Sequence, residues 1–178
     1  DCVGTMIAGV DEPAVKLVAQ LVPTSTSNDG GPEIPGGRNL SAGDAALVNG
    51  VAAHVLDYDD VGIGGHVSIC TIPPALAIAE KSGGASGREL ITAIAAGTDI
   101  HTRLALAIDI PDWTMTEGWF ATQLLGFVSG AATAGRMLRL DAEQMENALG
   151  IGFNQMSGSR QMAVGAATHM RSMQAGFS

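Results

Sequence analysis

The sequence has little charge, few aromatic side chains and almost no cysteine, and each shortage excludes a class of protein. Charged residues make up 15% of the 178 positions and aromatic residues 4%, whereas the hydrophobic share is 46%. A disordered acidic tail is excluded, because such chains contain few apolar residues. With so few large aromatic side chains, the abundance of Ala and Gly indicates closely packed helices.

The shortage of basic residues bears on partners and compartment. Nine Lys and Arg against eighteen Asp and Glu give a net charge of −9, so a basic face for nucleic acid is not expected. No run approaches the roughly 20 apolar residues that a membrane span needs. Cys2 and Cys70 lack the spacing of a metal site or a disulfide framework. We therefore expect a cytoplasmic protein without nucleic-acid or membrane partners.

The two ends of the sequence bear on completeness. The chain has no basic leader before its first apolar run, which does not resemble a signal peptide. It also lacks an initiator methionine and a polar tail. We expect it to be part of a longer protein.

Helix signals recur along the chain. Pro13 opens a predicted helix to about Val22, and a Pro-, Ser- and Gly-rich loop follows over 23–40. Capping residues and apolar spacing predict further helices over about 41–57, 68–83, 86–110, 118–138 and 141–156, with a last one from about Ala166. No segment has the period-two alternation of a half-buried strand. The fold class is therefore predicted to be all-α.

The segment 53–68 departs most from this apolar background. Asp57, Asp59 and Asp60 lie between His54 and His66, at the mouth of a glycine-rich loop. A helix end followed by a solvated loop would explain the carboxylates without any chemistry. A metal ion could also be coordinated here, although the residues lack the spacing of a known motif. Acid/base chemistry is the third interpretation, since the pKa of an imidazole lies near neutrality.

The same segment carries a family resemblance. The runs 49–60, 66–68 and 73–77 resemble the MmgE/PrpD family, whose members include 2-methylcitrate dehydratase, cis-aconitate decarboxylase and iminodisuccinate epimerase. Shorter stretches agree in the same order at 4–9, 103–104, 131–141, 148–151 and 174–176. The resemblance implies that residues 1–178 are a partial N-terminal helical domain, without the family's smaller α/β lid domain.

The resemblance also implies catalytic residues. Asp57 and His66 match positions that line the family's active site, so His66 is the predicted base and Asp57 orients it or acts as an acid. By contrast, Asp59 and Asp60 are expected to be structural, because alternate residues of a loop cannot all face one cleft. His54 lies on an apolar helix and is expected to be a hydrogen-bonded core histidine.

Departures from the family pattern imply altered substrate contacts. Val61 stands where the family usually has Thr, and Phe120 where it has a His. A near-terminal Lys and His of the family correspond to Arg171 and Gln174. Arg171 is the predicted anion or enolate contact, since a guanidinium binds carboxylates but does not act as a base. With Val61 and Phe120 apolar, we expect a substrate less charged than a tricarboxylate.

Polar neighbours of Phe120 could compensate for the missing family histidine. Thr122 and Gln123 are the candidates, since both carry hydrogen-bonding side chains. We expect them to supply polar contacts at the site.

Two functions stay open at this point. The first is a cofactor-independent lyase or related isomerase that abstracts a proton next to a carbonyl of a small carboxylate or keto acid. No cofactor is expected, because no strand precedes a Gly-x-Gly-x-x-Gly turn, and no metal is expected. The second is a non-catalytic helical module kept for oligomerisation. Family members associate through their helical domains, so a homodimer or higher homo-oligomer is expected.

Overall fold

Helices form nearly all the regular structure in the part of the chain that the computed structural model describes, residues 1–26, 31–32, 38–109, 118–163 and 169–178. They are α1 (Cys2–Gly9), α2 (Pro13–Leu21), α3 (Ala42–His54), α4 (Ser68–Lys81), α5 (Gly87–Ala107), α6 (Ala121–Met137), α7 (Ala142–Gln155) and α8 (His169–Phe177), with a 3₁₀ turn over Arg160–Ala163. Two-residue strands, β1 (Gly31–Pro32) and β2 (Asn39–Leu40), pair antiparallel. The prediction of an all-α fold is confirmed.

Capping residues begin the helices where the sequence predicts. At α5 the Ser86 hydroxyl accepts from the Glu89 N–H at 3.3 Å, and the Glu89 carboxylate accepts from the Ser86 N–H at 3.0 Å. The same reciprocal pair forms at α7 between Asp141 and Gln144. Each box satisfies two N–H groups that a helix start leaves without partners.

The structure contains one helix that was not predicted, and several helix boundaries differ from the prediction. The short helix α1 was not predicted, because Asp1 makes no capping hydrogen bond that would mark its start. Helix α3 ends at His54 rather than near Asp57, whose φ of 51° is incompatible with a right-handed helix. Helix α6 begins at Ala121, because Trp119 forms an antiparallel bridge with Ser159 instead. The predicted start of the last helix near Ala166 lies outside the described residues.

Helix α3 lies at the centre of the main core. Its Val48, Val51 and Ala52 are fully buried, and it packs against α1, α4 and α8. The contact with α8 is between backbones: a Cβ added at Gly50 would lie 2.9 Å from the Cα of Gly176. Small residues thus bring α8 onto α3, as the Ala and Gly content indicates.

Helix α6 connects this core to α5 and α7. It packs against α4, α5, α7 and α8, and most of its residues are buried. Its first turn points polar side chains, Thr122 and Gln123, into the interior. None of the described helices combines the length and apolarity that crossing a bilayer would need.

Candidate active site

The candidate site forms where α3 ends and α8 crosses it. Between α3 and α4 the chain makes a loop, residues 55–67, whose tip is closed by hydrogen bonds between Gly62 and Gly65 of 2.8 and 3.1 Å. Gly64 and Gly65 both have positive φ, at 90° and 99°, which glycine adopts without strain. This turn brings His66 back towards Asp57 and Asp59.

Asp59 is the buried carboxylate at the middle of the site. One oxygen lies 3.1 Å from His54 Nδ1 and the other lies 2.9 Å from His66 Nδ1. The side chains of Asp59 and His54 are fully buried, and the two imidazole rings meet edge to face with centroids 4.8 Å apart. The contact with His66 has an ion-pair distance, although the ring nitrogen does not point straight at the oxygen.

The second carboxylate, Asp57, faces the same imidazole from its other edge. Its Oδ1 lies 3.5 Å from His66 Nε2. Asp57 and Asp59 thus reach the same imidazole, Asp57 from the open cleft and Asp59 from a fully buried position. The left-handed backbone at Asp57, with φ 51°, breaks the alternation that an extended loop would have. Asp60 instead accepts a hydrogen bond from Ser68.

Arg171, on α8, forms an ion pair with Asp57 across the cleft. Its guanidinium carbon lies 5.3 Å from the centre of the Phe120 ring, within the range of a cation–π interaction. The Asp57 side chain is half exposed and that of Arg171 is 22% exposed, so both are open to a small molecule from solvent. The guanidinium of Arg171 thus places a positive charge near the His66 ring.

These contacts shift the pKa values of the site. Burial acts to raise the pKa of Asp57, but the hydrogen bond and charge of Arg171, with the imidazoles, lower it. Burial likewise opposes ionisation of Asp59, yet the two imidazoles lower its pKa far more. Contact with Asp59 raises the pKa of His66, against the effect of burial. Both carboxylates are therefore ionised, and His66 is a stronger base than a free imidazole.

The remaining predicted contact residues, Val61 and Gln174, have other surroundings. Val61 is on the loop surface and 76% exposed. Gln174, one turn along α8 from Arg171, donates to the hydroxyl of Ser157 at 2.6 Å. The structure thus brings Asp57, His66, Arg171 and Phe120 together, whereas Val61 is on the loop surface and Gln174 contacts Ser157.

The polar residues Thr122 and Gln123 support the site from behind. The Thr122 hydroxyl accepts from the His66 backbone N–H at 2.9 Å, and Gln123 Nε2 donates to the Arg171 carbonyl at 3.2 Å. Both side chains are buried. These two side chains therefore contact the backbones of two site residues, and their predicted role in place of the family histidine stays a prediction. The start of α6 fixes both residues at once.

A third supporting residue, His101 on α5, was not predicted. Its Nε2 lies 3.1 Å from the Gly64 carbonyl oxygen and its Nδ1 lies 3.2 Å from the Ser129 hydroxyl. Burial lowers the pKa of His101, which keeps the ring neutral. No sequence signal connects it to a loop 37 positions away.

Four side chains of the site could hold a metal ion. Ligand atoms of His54, Asp57, Asp59 and His66 all lie within 4.8 Å of one another. Imidazole and carboxylate are ligands that several divalent transition metals accept. The same distances also suit N–H to carboxylate pairs, and Asp57 is engaged by Arg171. The arrangement is compatible with a metal ion but does not require one.

Comparison with known proteins identifies the family of the chain. The profile of the MmgE/PrpD N-terminal domain matches residues 1–178. Human cis-aconitate decarboxylase is 33% identical over 112 residues, which are 60% of this chain and 23% of that protein. The match therefore spans less than a quarter of the length of this curated relative.

Proposed function

The chain belongs to the MmgE/PrpD family. We propose that it supplies the proton-transferring residues on one side of the active-site cleft of a cofactor-independent lyase or isomerase. The proposed substrate is a small carboxylate or keto acid. The main support for this proposal is the position of His66. Its ring lies between Asp59, at 2.9 Å, and Asp57, at 3.5 Å, and Arg171 is paired with Asp57. One base and one anion contact within a single cleft are the minimum for removing a proton next to a carboxylate. The similarity to a decarboxylase supports lyase-type chemistry.

His66 acts as the base. Its Nε2 takes the proton from the carbon next to the carbonyl, and the electron pair of that C–H bond moves to the carbonyl oxygen as an enolate. The enolate then expels a β-hydroxyl as water, using the proton held by His66, or takes a proton from water on its other face while His66 releases its own proton to solvent. In a decarboxylation, His66 instead starts as the imidazolium, donates its Nε2 proton to the carbanion left by departing carbon dioxide, and then takes a proton from solvent. Each route balances without a redox cofactor.

Arg171 stabilises the negative charge that develops on the substrate. A guanidinium binds a carboxylate or enolate through two parallel N–H groups. The lowered pKa of Asp57 favours an orienting role for this carboxylate over the alternative role of general acid. Asp57 holds Arg171 in place until a substrate carboxylate takes over part of the contact.

The substrate class follows from the charges of the cleft. Arg171 is the cation of the described cluster, which also holds two carboxylates, and Phe120 and Val61 add apolar surface. A tricarboxylate would bring three negative charges to this cluster and face repulsion from Asp57 and Asp59. We propose a mono- or dicarboxylate with a carbonyl group.

Exchange of substrate protons with D₂O tests the base directly. The complete protein containing this chain is incubated with small keto acids, methylcitrate and cis-aconitate, and deuterium incorporation is followed by NMR. His66→Gln should lower the exchange rate by about 10²-fold or more, since general-base catalysis contributes this much. Arg139→Gln, which removes an exposed ion pair with Glu89, is the control and should retain the wild-type rate. An unchanged rate in His66→Gln refutes the role of base.

Substrate preference is tested with the same assay. We expect exchange with keto acids and little turnover of the tricarboxylates. Turnover of methylcitrate or cis-aconitate at ordinary enzyme rates would refute the proposed substrate class.

A second candidate function is a non-catalytic module for oligomerisation. Several large apolar side chains on α2, α5 and α7 are exposed: Leu17, Leu21, Ile91, Leu106, Ile151 and Phe153. Contiguous exposed apolar surface is a common mark of association. Light scattering of the purified protein, combined with the proton-exchange assay, separates the two functions. A stable oligomer that exchanges no substrate proton would favour this second candidate.

A further inference from the structure

We infer that Asp59 and His54 are positioning residues that fix the ring tautomer of His66, with the proton on Nδ1 and the lone pair on Nε2. The catalytic meaning of this arrangement rests on the proposed function, but the tautomer itself can be measured without any substrate.

The first step concerns the hydrogen-bonding capacity of Asp59. Its side chain is completely buried, and an ionised carboxylate only accepts hydrogen bonds. The nearest nitrogens are His54 Nδ1, hydrogen-bonded at 3.1 Å, and His66 Nδ1, at an ion-pair distance of 2.9 Å but out of line for a hydrogen bond. A lone pair on either nitrogen would repel the carboxylate, whereas an N–H stabilises it. Both rings therefore carry a proton on Nδ1.

The second step concerns what this leaves on the reactive edge of His66. In the neutral ring one nitrogen bears the proton and the other bears the lone pair. With the proton on Nδ1, the lone pair lies on Nε2, 3.5 Å from Asp57. That carboxylate is farther from the ring than Asp59, half exposed and paired with Arg171, so it repels a lone pair less than the buried Asp59 would at 2.9 Å. The basic nitrogen thus faces the open side of the cleft, where a substrate would lie.

The third step concerns His54, which holds the carboxylate rather than the substrate. Its Nδ1 lies within hydrogen-bond distance of both Asp59 oxygens, at 3.1 and 3.3 Å. Its Nε2 is buried without a hydrogen-bond partner among the described residues. Its interaction with Asp59 therefore accounts for its polar contacts in this part of the chain. By engaging the carboxylate from behind, His54 keeps Asp59 from rotating away from His66.

Other ionisable groups around this pair do not provide an alternative acceptor for His66 Nδ1. Asp57 contacts the Nε2 edge instead, and Arg171 is a donor. Asp60 accepts from Ser68. Burial raises the pKa of Cys2 to about 11 and that of Cys70 to about 12, so these neighbouring thiols are protonated. Asp59 remains the acceptor that the geometry provides.

The test is a long-range ¹H–¹⁵N correlation spectrum of the chain labelled with ¹⁵N-histidine. The sequence has four histidines, so the ring signals can be assigned by single substitutions. At a pH where His66 is neutral, we expect the Nδ1–H form for His66 and His54. A neutral His66 with its proton on Nε2 overturns the inference, whether or not the protein is active on any substrate.

Substitutions at Asp59, Asp60 and His54 then test whether hydrogen bonding, and not packing alone, sets the tautomer of His66. Asp59→Asn presents one acceptor and one donor, so one of the two rings must switch to the Nε2–H form. Asp60→Asn makes the same chemical change one residue along and should leave both tautomers unaltered. His54→Asn keeps an N–H near the position of Nδ1 and should preserve the His66 tautomer, whereas His54→Leu should not.

The activity readout distinguishes this inference from the proposed function. Exchange activity in Asp59→Asn should fall at least 10-fold if His66 is the ring that switches, and His54→Asn should retain more activity than His54→Leu. Unchanged His54 and His66 tautomers in Asp59→Asn overturn the inference. If Asp59→Asn does not fold, the wild-type spectrum alone decides. A wild-type protein with the expected tautomer but no exchange activity refutes the proposed function only.

Discussion

Val61 shows how a single side chain on the loop surface tests substrate preference. It lies where the family usually has Thr, and its 76% exposure means that a hydroxyl there would meet solvent or substrate. Val61→Thr should leave the free energy of unfolding within about 0.5 kcal/mol, because the site is exposed. One new hydrogen bond, of about 0.5–1.5 kcal/mol, should lower the KM for hydroxylated carboxylates by roughly 2- to 10-fold.

Val61→Ala is the matched control for that experiment. It removes apolar surface without adding a hydroxyl, so its KM for hydroxylated carboxylates should stay near the wild-type value. Steady-state kinetics on hydroxylated and non-hydroxylated acids measures both variants. An equal drop in KM for both variants would contradict the hydrogen-bond explanation.

The cluster of His54, Asp57, Asp59 and His66 allows a prediction about metal removal. Because each close contact already pairs a carboxylate with a donor, we expect proton exchange to survive dialysis against a chelator. Activity before and after dialysis, together with metal analysis of the protein, gives the measurement. Loss of activity that added Zn²⁺ or Mn²⁺ restores would contradict the cofactor-independent mechanism.

At this scale the sequence predicts which side chains meet, but not how they are held. Asp57, His66 and Arg171 were all expected at the site, and the structure places them in contact. The contact of Asp59 with His66 was not predicted, because a sequence pattern does not reveal the left-handed backbone at Asp57. The contact of Thr122 with His66 joins positions 56 residues apart, and such pairs leave no local signal.

At the scale of elements, the docking of α8 on α3 depends on glycine. A Cβ added at Gly176 would lie 2.6 Å from the Leu47 carbonyl oxygen, which cannot move without shifting α3. Gly176→Ala should therefore lower the free energy of unfolding by about 1–3 kcal/mol, as overpacking does. Because Arg171 is on the same helix, the KM for the substrate should also rise. Denaturant unfolding and steady-state kinetics measure the two effects.

Gly150→Ala is the control for this prediction. Gly150 lies inside α7, and an added Cβ there meets nothing within 4 Å. The substitution should stabilise the protein by about 0.5–1 kcal/mol through helix propensity, with no change in KM. Similar effects of the two substitutions would show that the α3–α8 contact does not limit stability.

Helix starts were predicted better than helix ends. Ser86 and Asp141 mark the starts of their helices, because each forms local capping hydrogen bonds that a short sequence motif predicts. The end of α3 depends on where the 55–67 loop must turn, and the start of α6 depends on a bridge between Trp119 and Ser159, 40 residues apart. Sequence motifs therefore do not predict a helix boundary that depends on contacts with residues far away in the chain.

At the scale of the whole molecule, the site contributes a pH dependence to stability. The lowered pKa of Asp59 stabilises the fold above its unfolded value, near 3.8, and this contribution is lost as the pH falls towards the folded value. The raised pKa of His66 stabilises the fold below its unfolded value, near 6.5, and that contribution is lost as the pH rises through the folded value. Both contributions are complete between about pH 4 and 6.5.

The difference between wild type and Asp59→Asn isolates this dependence. His101, whose pKa is lowered by burial, shifts stability in the opposite sense to His66 but is common to both proteins. We expect the difference in the free energy of unfolding to be largest between about pH 4 and 6.5 and to shrink on either side. Urea unfolding across this range measures it, and a difference that does not vary with pH would contradict the assignment.

The ion pair between Arg171 and Asp57 joins residues 114 positions apart, and this separation sets an order of events during synthesis. The loop with Asp57, Asp59 and His66 leaves the ribosome long before α8 does. At about 5–20 residues per second, roughly 5–20 s pass between the translation of His66 and that of Arg171. During this interval the loop carries its carboxylates without their guanidinium, so the Arg171–Asp57 ion pair forms only after α8 has been made.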